Sequence, residues 1–285
     1  MKQIRIAAAL VASAVVTGAG PAGAQGHGPV YGLSTPTLGK GGWNLDLALM
    51  SRIVGGTQTG MFRPMLSYGI TQDLQVSGSL PVPLYTPQGV RPAHGPSRMP
   101  TSLDLELLVG WRFHRRGIRV GTRVESTLYV GFDYPTDAVR AGVRTAPGLY
   151  GAAVTGYASR SLYVWAGGLY RHYLTPSAGS ADRSGDTGMY SLVIGYRPAL
   201  FRKELPHPDW RIFLEAFGER VAPDVIGGVR QANTGSHQMF VGPTLLGLFG
   251  SWGISGGPVF PVWRRVNGVQ LEEKARVVLN ASFWF

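Results

Sequence analysis

Cysteine is absent from the 285-residue sequence, and charged residues make up only 15% of it. Without a thiol the chain can form neither a disulfide framework nor a cysteine-linked lipid anchor. The absence also suits an exported protein, which passes an oxidising compartment. After residue 24 the sequence lacks any apolar run of about 18 residues, so membrane-spanning helices are excluded. If the chain enters a membrane, it does so with β-strands.

The N-terminus has the features of a secretory signal peptide. Two basic residues precede an apolar run over 6–16, and small residues follow at 22–24. This run is shorter than the ~20 residues that a membrane-spanning helix needs. We therefore predict a cleaved signal peptide at 1–24, a periplasmic N-terminal segment at 25–41 and a single domain at 42–285.

Polar and apolar residues alternate in many segments, which is the pattern of strands with two different faces. In the last segment Val277, Leu279 and Phe283 lie on one face, while Arg276 and Asn280 lie on the other. About twelve candidate strands follow from this pattern. They lie near 43–52, 61–69, 74–84, 103–113, 119–130, 148–158, 161–173, 187–197, 209–220, 237–248, 253–262 and 276–285.

The connections between these strands alternate in length. Short links are predicted near 70–73, 114–117, 159–160 and 249–252, and long ones near 85–101, 133–147, 174–187 and 221–236, with one longer exception near 198–208. Outer-membrane barrels have short periplasmic turns and longer extracellular loops. The rhythm predicts an all-β, transmembrane antiparallel β-barrel of about twelve strands, with periplasmic N- and C-termini, in the outer membrane of a Gram-negative bacterium.

A secreted, soluble β-sandwich or propeller stays open as an alternative, because alternation does not show which strand face is inside. Aromatic residues near the predicted strand ends favour the membrane, where they form girdles at both interfaces. The predicted girdle residues are Trp43, Tyr68, Trp111, Trp210 and Phe283.

Three stretches carry a family resemblance: residues 35–43, residues 66–74 with Leu80 and Pro81 after them, and residues 257–268. They resemble the outer-membrane β-barrel family named for transport in the meta pathway of phenol degradation. The resemblance implies a barrel and uptake of small, aromatic compounds, and it supplies no catalytic residues. Phe285 resembles the C-terminal aromatic residue that the barrel-assembly machinery recognises.

Catalytic and metal-binding patterns are weak. A barrel hydrolase is expected to carry His and Ser two positions apart on one strand, whereas Ser236 and His237 are adjacent and point to opposite faces. We predict no metal, no cofactor and no enzyme activity. The leading function is passive passage of small solutes, and two alternatives stay open: a hydrolase using His172 or His237, and an adhesive or structural barrel acting through its loops.

The charged strand face is predicted to line the pore. A four-residue turn at 114–117 would place Arg112 opposite Arg119, Leu108 opposite Arg123 and Glu106 opposite Glu125. The predicted pore-lining residues are Asp46, Arg63, Asp104, Glu106, Arg112, Arg119, Arg123, Glu125 and Arg276.

Two interpretations of these charges compete: a salt-bridged interior that holds a narrow barrel closed, and a charged constriction that selects solutes. Counted over all predicted strands, the inward set holds more basic than acidic residues. It comprises Arg52, Arg63, Arg112, Arg119, Arg123, Arg171, Arg197, Arg211 and Arg276 against Asp46, Asp104, Glu106, Glu125, Glu215 and Glu219. This excess favours anionic or aromatic-acid solutes.

The formal net charge of +11 suits lipopolysaccharide phosphates outside the barrel or anionic solutes inside it. Nucleic-acid binding is disfavoured, because the arginines are scattered and form no recognisable module.

Overall fold

The computed structural model describes residues 28–35, 37–85, 105–134, 147–174, 183–202 and 207–285. The predicted signal peptide therefore lies outside the described residues. Within them the chain forms fifteen strands and a 3-10 turn at Ala199–Phe201. The strands are β1 (Trp43–Val54), β2 (Thr57–Gly69), β3 (Leu74–Ser79), β4 (Val82–Tyr85), β5 (Leu105–Arg119), β6 (Thr122–Tyr134), β7 (Gly148–Ala158), β8 (Leu162–Tyr173), β9 (Thr187–Tyr196), β10 (Asp209–Val221), β11 (Val225–Ile226), β12 (Val229–Arg230), β13 (Ser236–Phe249), β14 (Trp252–Val266) and β15 (Glu273–Trp284).

The strands close into one antiparallel barrel. β1 pairs with β15 on one side and with β2 on the other, so the sheet has no free edge at the junction of its ends. β3 and β4 both pair with β2 and are separated by Leu80 and Pro81. They are two parts of one wall strand, interrupted where proline has no N–H to donate. With β11 and β12 forming a separate hairpin, the wall has twelve strands, and the predicted all-β, twelve-stranded antiparallel barrel is confirmed.

The two faces of the wall are inverted relative to a soluble protein. Leu49 and Leu279 are paired across β1 and β15, yet they are 47% and 51% exposed on the outer face. On the inner face of the same strands, Asp46 and Arg276 are buried. An apolar exterior around a polar interior is the arrangement of a barrel in lipid. It is the opposite of the arrangement in a soluble β-sandwich or propeller, the alternative that the sequence left open. No helix in the described ranges is long and apolar enough to cross a membrane.

Aromatic residues gather on the outer face at the barrel end where β1 begins and β15 ends, here called the terminal end. The Trp43 ring lies 4.6 Å from Tyr68 and 6.4 Å from Phe285, measured between centroids. Farther round the wall, Trp210 packs at 5.6 Å against Phe249. Trp111 and Phe283, also on the outer face, are 52% and 40% exposed. All five predicted girdle residues therefore lie at this end of the barrel.

The hairpin of β5 and β6 differs from its prediction. The turn lies at Val120 and Gly121, where Gly121 has a φ of 72°, and residues 114–117 continue the strand. Two β-bulges in β5 take up the extra length, so that Arg115 faces Glu125. The predicted pairing of Glu106 with Glu125 is wrong, because Glu106 faces Asp133. The predicted pairings of Arg112 with Arg119 and of Leu108 with Arg123 are wrong too.

The connections at the opposite end, here called the far end, also depart from strict alternation. β1 and β2 are joined there by only Gly55 and Gly56, both at positive φ. Two glycines in this conformation suit a tight hairpin turn. The long predicted loops near 85–101 and 133–147 lie mainly outside the described residues.

We expect Leu279→Arg to destabilise the barrel by about 2–4 kcal/mol, because a charged side chain near the bilayer midplane loses its hydration. Val269→Arg is the control, since Val269 is 98% exposed in the loop between β14 and β15 and its replacement should cost less than about 0.5 kcal/mol. Guanidinium unfolding in lipid vesicles measures both. Equal, small effects would mean that the outer face does not lie in lipid.

Candidate functional site

The chain that precedes β1 lies inside the barrel. Residues 28–35 and 37–38, here called the inner segment, are largely buried, with Tyr31 0%, Thr35 1% and Thr37 2% exposed. The sequence analysis placed residues 25–41 in the periplasm, and the structure corrects this for the described part. The physical reason is that the lumen wall supplies partners for the segment's backbone groups, which sequence alternation cannot reveal.

Glycines allow the segment to enter past β2. Gly41 has a φ of 78°, and its N–H donates to the carbonyl of Gly69 at 2.8 Å. A Cβ on Gly69 would lie 2.0 Å from the carbonyl oxygen of Gly39. Only glycine at position 69 leaves room for this close backbone approach.

The carboxylate of Glu215 on β10 anchors the inner segment. It accepts three backbone N–H bonds, from Val30, Tyr31 and Gly32, each at 2.7 Å. The Thr244 hydroxyl on β13 donates a fourth bond at 2.5 Å. Glu215 is 0% exposed, so this side chain exchanges its hydration for four donors. Bonds to a charged acceptor are stronger than those between neutral groups.

Tyr31 adds a second attachment near the same level. Its ring stacks on Phe217 at 5.7 Å between centroids. Its hydroxyl donates to the carbonyl oxygens of Gly257 at 2.8 Å and Arg276 at 3.2 Å. Burial raises the pKa of the Tyr31 phenol, and the nearby Glu215 carboxylate raises it further. The hydroxyl therefore keeps the proton that it donates.

The rest of the inner segment is bonded to side chains from several other strands. The Leu33 N–H donates to the Ser191 hydroxyl, and the Leu38 N–H donates to the Gln75 side-chain oxygen. In the other direction, the Ser34 and Thr35 carbonyls accept from Tyr129 at 2.8 Å and Thr127 at 2.7 Å, and the Trp165 indole N–H donates to the Thr35 hydroxyl at 3.1 Å. The segment is thus held all round the lumen by side chains.

Two ion-pair networks line the lumen toward the far end. In the first, Arg276 forms a double hydrogen bond with Glu219 at 2.6 and 2.7 Å and contacts Glu273, which also accepts from Arg52. The Arg276 guanidinium lies 4.1 Å from the Phe240 ring centroid. Because the Arg276 side chain is 1% exposed, removal of both carboxylates would leave a buried charge unpaired.

The second network joins β2, β5, β6 and β8. Arg171 lies 2.9 Å from Asp133 and 3.9 Å from Glu106, and Arg63 is paired with Glu106. The Tyr150 hydroxyl donates to Glu106 at 2.5 Å. The sequence analysis gave two interpretations of these charges, and both networks match the first, a salt-bridged interior.

The predicted pore-lining residues fall into three groups. Six face the lumen and are bonded there: Asp46, Arg63, Glu106, Arg112, Glu125 and Arg276. Arg123 lies at the terminal end with its side chain 46% exposed and paired with Glu125, and Arg119 is exposed beside the hairpin turn. Asp104 lies outside the described residues.

The sequence analysis missed three inward acids, Asp133, Asp209 and Glu273, each of which pairs with an arginine. They reduce the basic excess expected within the lumen. The role of Glu215 was also missed, although its inward orientation was predicted. The only available signal was a lone glutamate in an otherwise apolar stretch of β10.

One cavity of about 190 Å³ remains between the inner segment and the wall. Met50, Met65 and Leu108 contribute apolar surface, while Asp46 and Arg63 contribute charge. Pockets that bind drug-sized ligands have volumes of about 300–1,000 Å³. With the inner segment in place, the cavity has room only for a smaller molecule.

The two histidines of the hydrolase alternative lie away from the inner segment. His237 is on the outer face, where Tyr190 lies 3.1 Å away, and Ser236 is on the other face of β13. His172 lies 3.0 Å from Asp186 and is 49% exposed. In the described part of the chain, no cluster of three potential metal ligands occurs.

The fold is similar to that of the COG4313 outer membrane channel from Pseudomonas putida F1, with a TM-score of 0.61 and 14% identity over 88% of this chain and 98% of that one. Lower scores are found for OccK11 from Pseudomonas aeruginosa (0.39, 11% identity, 87% and 98% covered) and LpxR from Salmonella typhimurium (0.44, 9% identity, 85% and 100% covered). At 14% identity the similarity to the COG4313 channel shows a shared barrel fold and no more.

No protein-family model matches the chain, and no curated protein does. The resemblance to the phenol-degradation transport family therefore stays a prediction beyond its implied fold.

We expect Glu215→Gln to loosen the inner segment. One carboxylate oxygen becomes an NH₂ group that cannot accept the backbone N–H bonds, and each bond to a charged group contributes about 1.5–3 kcal/mol. Because the chain has no cysteine, Ser34→Cys provides a unique reporter thiol. Its labelling by a water-soluble maleimide should accelerate at least about tenfold in the Glu215→Gln background.

Thr244→Val is the matched control, since it removes one donor to Glu215 and leaves the three backbone bonds in place. Labelling should change much less in this variant. If Glu215→Gln leaves the labelling rate unchanged, the carboxylate is not the anchor.

Proposed function

We propose that the protein is an outer-membrane channel for passive passage of small solutes, closed at rest by its own inner segment. The supporting observation is the position of that segment, which fills the lumen but contributes no strand to the wall. A twelve-stranded barrel is intermediate between filled eight-stranded barrels and open porins of sixteen strands. Once the segment moves, the lumen has room for solute. The similar fold of a protein described as a channel is consistent with this.

The attachments of the segment suit reversible release. They are hydrogen bonds from side chains to its backbone, as at Glu215, Ser191 and Gln75. Water can replace such partners one at a time, because each bond contributes only about 0.5–1.5 kcal/mol, or 1.5–3 where a charge takes part. The wall keeps its own continuous ladder of backbone bonds, so the segment can leave without unfolding the barrel.

We expect deletion of residues 28–35 to raise single-channel conductance several times above that of the full-length protein. The reason is that the deletion removes the groups that fill the middle of the lumen. Planar-bilayer recordings measure the change, and heat-modifiable migration on a gel verifies that the deletion variant still forms a barrel. A folded deletion variant with unchanged conductance would contradict the proposed function.

The finer proposal is a preference for anionic solutes. The lumen arginines are paired with carboxylates, but Arg115 and Arg119 at the terminal end have no ion pair with any described residue. Arginine keeps its charge at physiological pH and suits carboxylates and phosphates. The anion preference would therefore arise at the mouth of the channel.

Reversal potentials in a salt gradient should show an anion-selective pore. Changing Arg119 and Arg123 together to Ala should lower that selectivity, because it removes two positive charges from the mouth. Raising the salt should weaken it too, since the Debye length falls from about 10 Å at 0.1 M to about 3 Å at 1 M. A cation-selective wild-type pore would refute the preference.

We also propose the orientation and partners. The terminal end would face the periplasm, because its described connections, such as those at 70–73 and 250–251, are short. Phe285 would serve as the assembly signal for the barrel-assembly machinery. Outer-membrane lipids and lipopolysaccharide would surround the apolar outer face.

Trypsin added to intact cells should cut at Arg230, in the far-end hairpin of β11 and β12, and spare Arg115 and Arg116. The physical reason is that the outer membrane shields the periplasmic side from the protease. Fragment masses report the cleavage sites, and permeabilised cells are the control. Cleavage at Arg115 in intact cells would invert the orientation.

A further inference from the structure

A basic cavity of about 520 Å³ lies at the terminal end of the barrel. Five arginines and one glutamate contribute its charged lining: Arg112, Arg115, Arg119, Arg123, Arg211 and Glu125. Its volume falls within the range of about 300–1,000 Å³ that is typical of small-molecule sites.

The bulges of β5 build this cavity. Trp111 faces Leu128 and His114 faces Ser126, so β5 has an extra residue between these two pairs. The extra residue restores Arg115 to the lumen side, directly opposite Glu125. A bulge commonly redirects a side chain in this way. Without it, the alternation that turns Arg112 inward would turn Arg115 outward.

The charges of the cavity are not balanced. Glu125 binds Arg112 at 3.1 Å and Arg123 at 3.0 Å. Asp73 also contacts Arg112 at 2.8 Å, and Asp209 contacts Arg211 at 2.9 Å. Against five guanidinium groups, these three carboxylates leave at least two positive charges uncompensated among the described residues.

We infer that this cavity binds a small dianion, such as a dicarboxylate or a phosphate ester. Two uncompensated charges match two negative charges, and the planar guanidinium fork suits both ligand types. Arg115 and Arg119 supply the uncompensated charge, while Arg123, shared with Glu125, can turn to a ligand.

The cavity also touches the machinery that closes the channel. Trp165 lines it and donates to Thr35 of the inner segment, and the Thr35 hydroxyl lies 3.5 Å from Glu125. A dianion that draws Arg123 away from Glu125 would alter the contact between Glu125 and the segment. The assignment as a solute site deepens the proposed channel function and rests on it.

Isothermal titration calorimetry on the full-length protein in detergent, at low salt, tests the site with succinate as the dianion and acetate as the monoanion. Succinate should bind saturably and at least about tenfold more tightly than acetate, because it engages a second guanidinium. Changing Arg115 and Arg119 together to Gln should weaken succinate binding by about tenfold or more.

Arg116→Gln is the matched control. Arg116 has the same charge on the same strand but faces Val124 on the outer side of the hairpin, so its replacement should leave succinate binding unchanged. Heat-modifiable migration verifies that each variant is folded. Equal weakening by Arg116→Gln, no saturable succinate binding, or no preference over acetate would overturn the site.

In these experiments the proposed solute site and the proposed channel can fail independently of each other. Succinate binding by a protein that does not conduct after deletion of 28–35 would overturn the channel and retain the site. A conducting protein without succinate binding would do the reverse.

Discussion

A strand in lipid cannot leave backbone N–H and C=O groups unpaired, and this constraint governs the whole molecule. The pairing of β1 with both β15 and β2 satisfies it by closing the sheet. Closure turns one face of every strand to lipid and the other to an enclosed lumen. The apolar residues around Leu49 and Leu279 therefore lie outside, and the two ion-pair networks lie in the interior.

Confinement in turn decides how the interior is filled. A charge in a narrow lumen is poorly hydrated, so it needs partners of its own. Arg276 has Glu219 and Glu273, and Arg171 has Asp133 and Glu106. Glu215 differs, because it accepts from neutral N–H and hydroxyl donors, three of them from the chain's own backbone. The backbone N–H groups of the inner segment are the partners of this carboxylate, so the filling of the lumen depends on Glu215.

Charge is consequently distributed unevenly along the barrel axis. Pairing is nearly complete toward the far end, where the ion pairs of the two networks join seven strands. At the terminal end the bulged hairpin of β5 and β6 extends the wall and carries arginines in excess of their carboxylates. A solute would meet this basic mouth on one side of the inner segment and balanced charge on the other. The asymmetry comes from the bulge, since an unbulged β5 would present Arg115 to the outside.

The sequence by itself determined the strands and the two faces of each one. Period-two alternation, as in Val277, Leu279 and Phe283 against Arg276 and Asn280, separates an apolar from a polar face in every strand. That the apolar face is the outer one was decided by the closed barrel, in which Leu49 and Leu279 are exposed. Only the tertiary structure decided the register of β5, the pairing of the buried charges and the place of the inner segment. These depend on contacts between residues far apart in the chain, such as Tyr31 with Glu215, and local patterns carry no record of them.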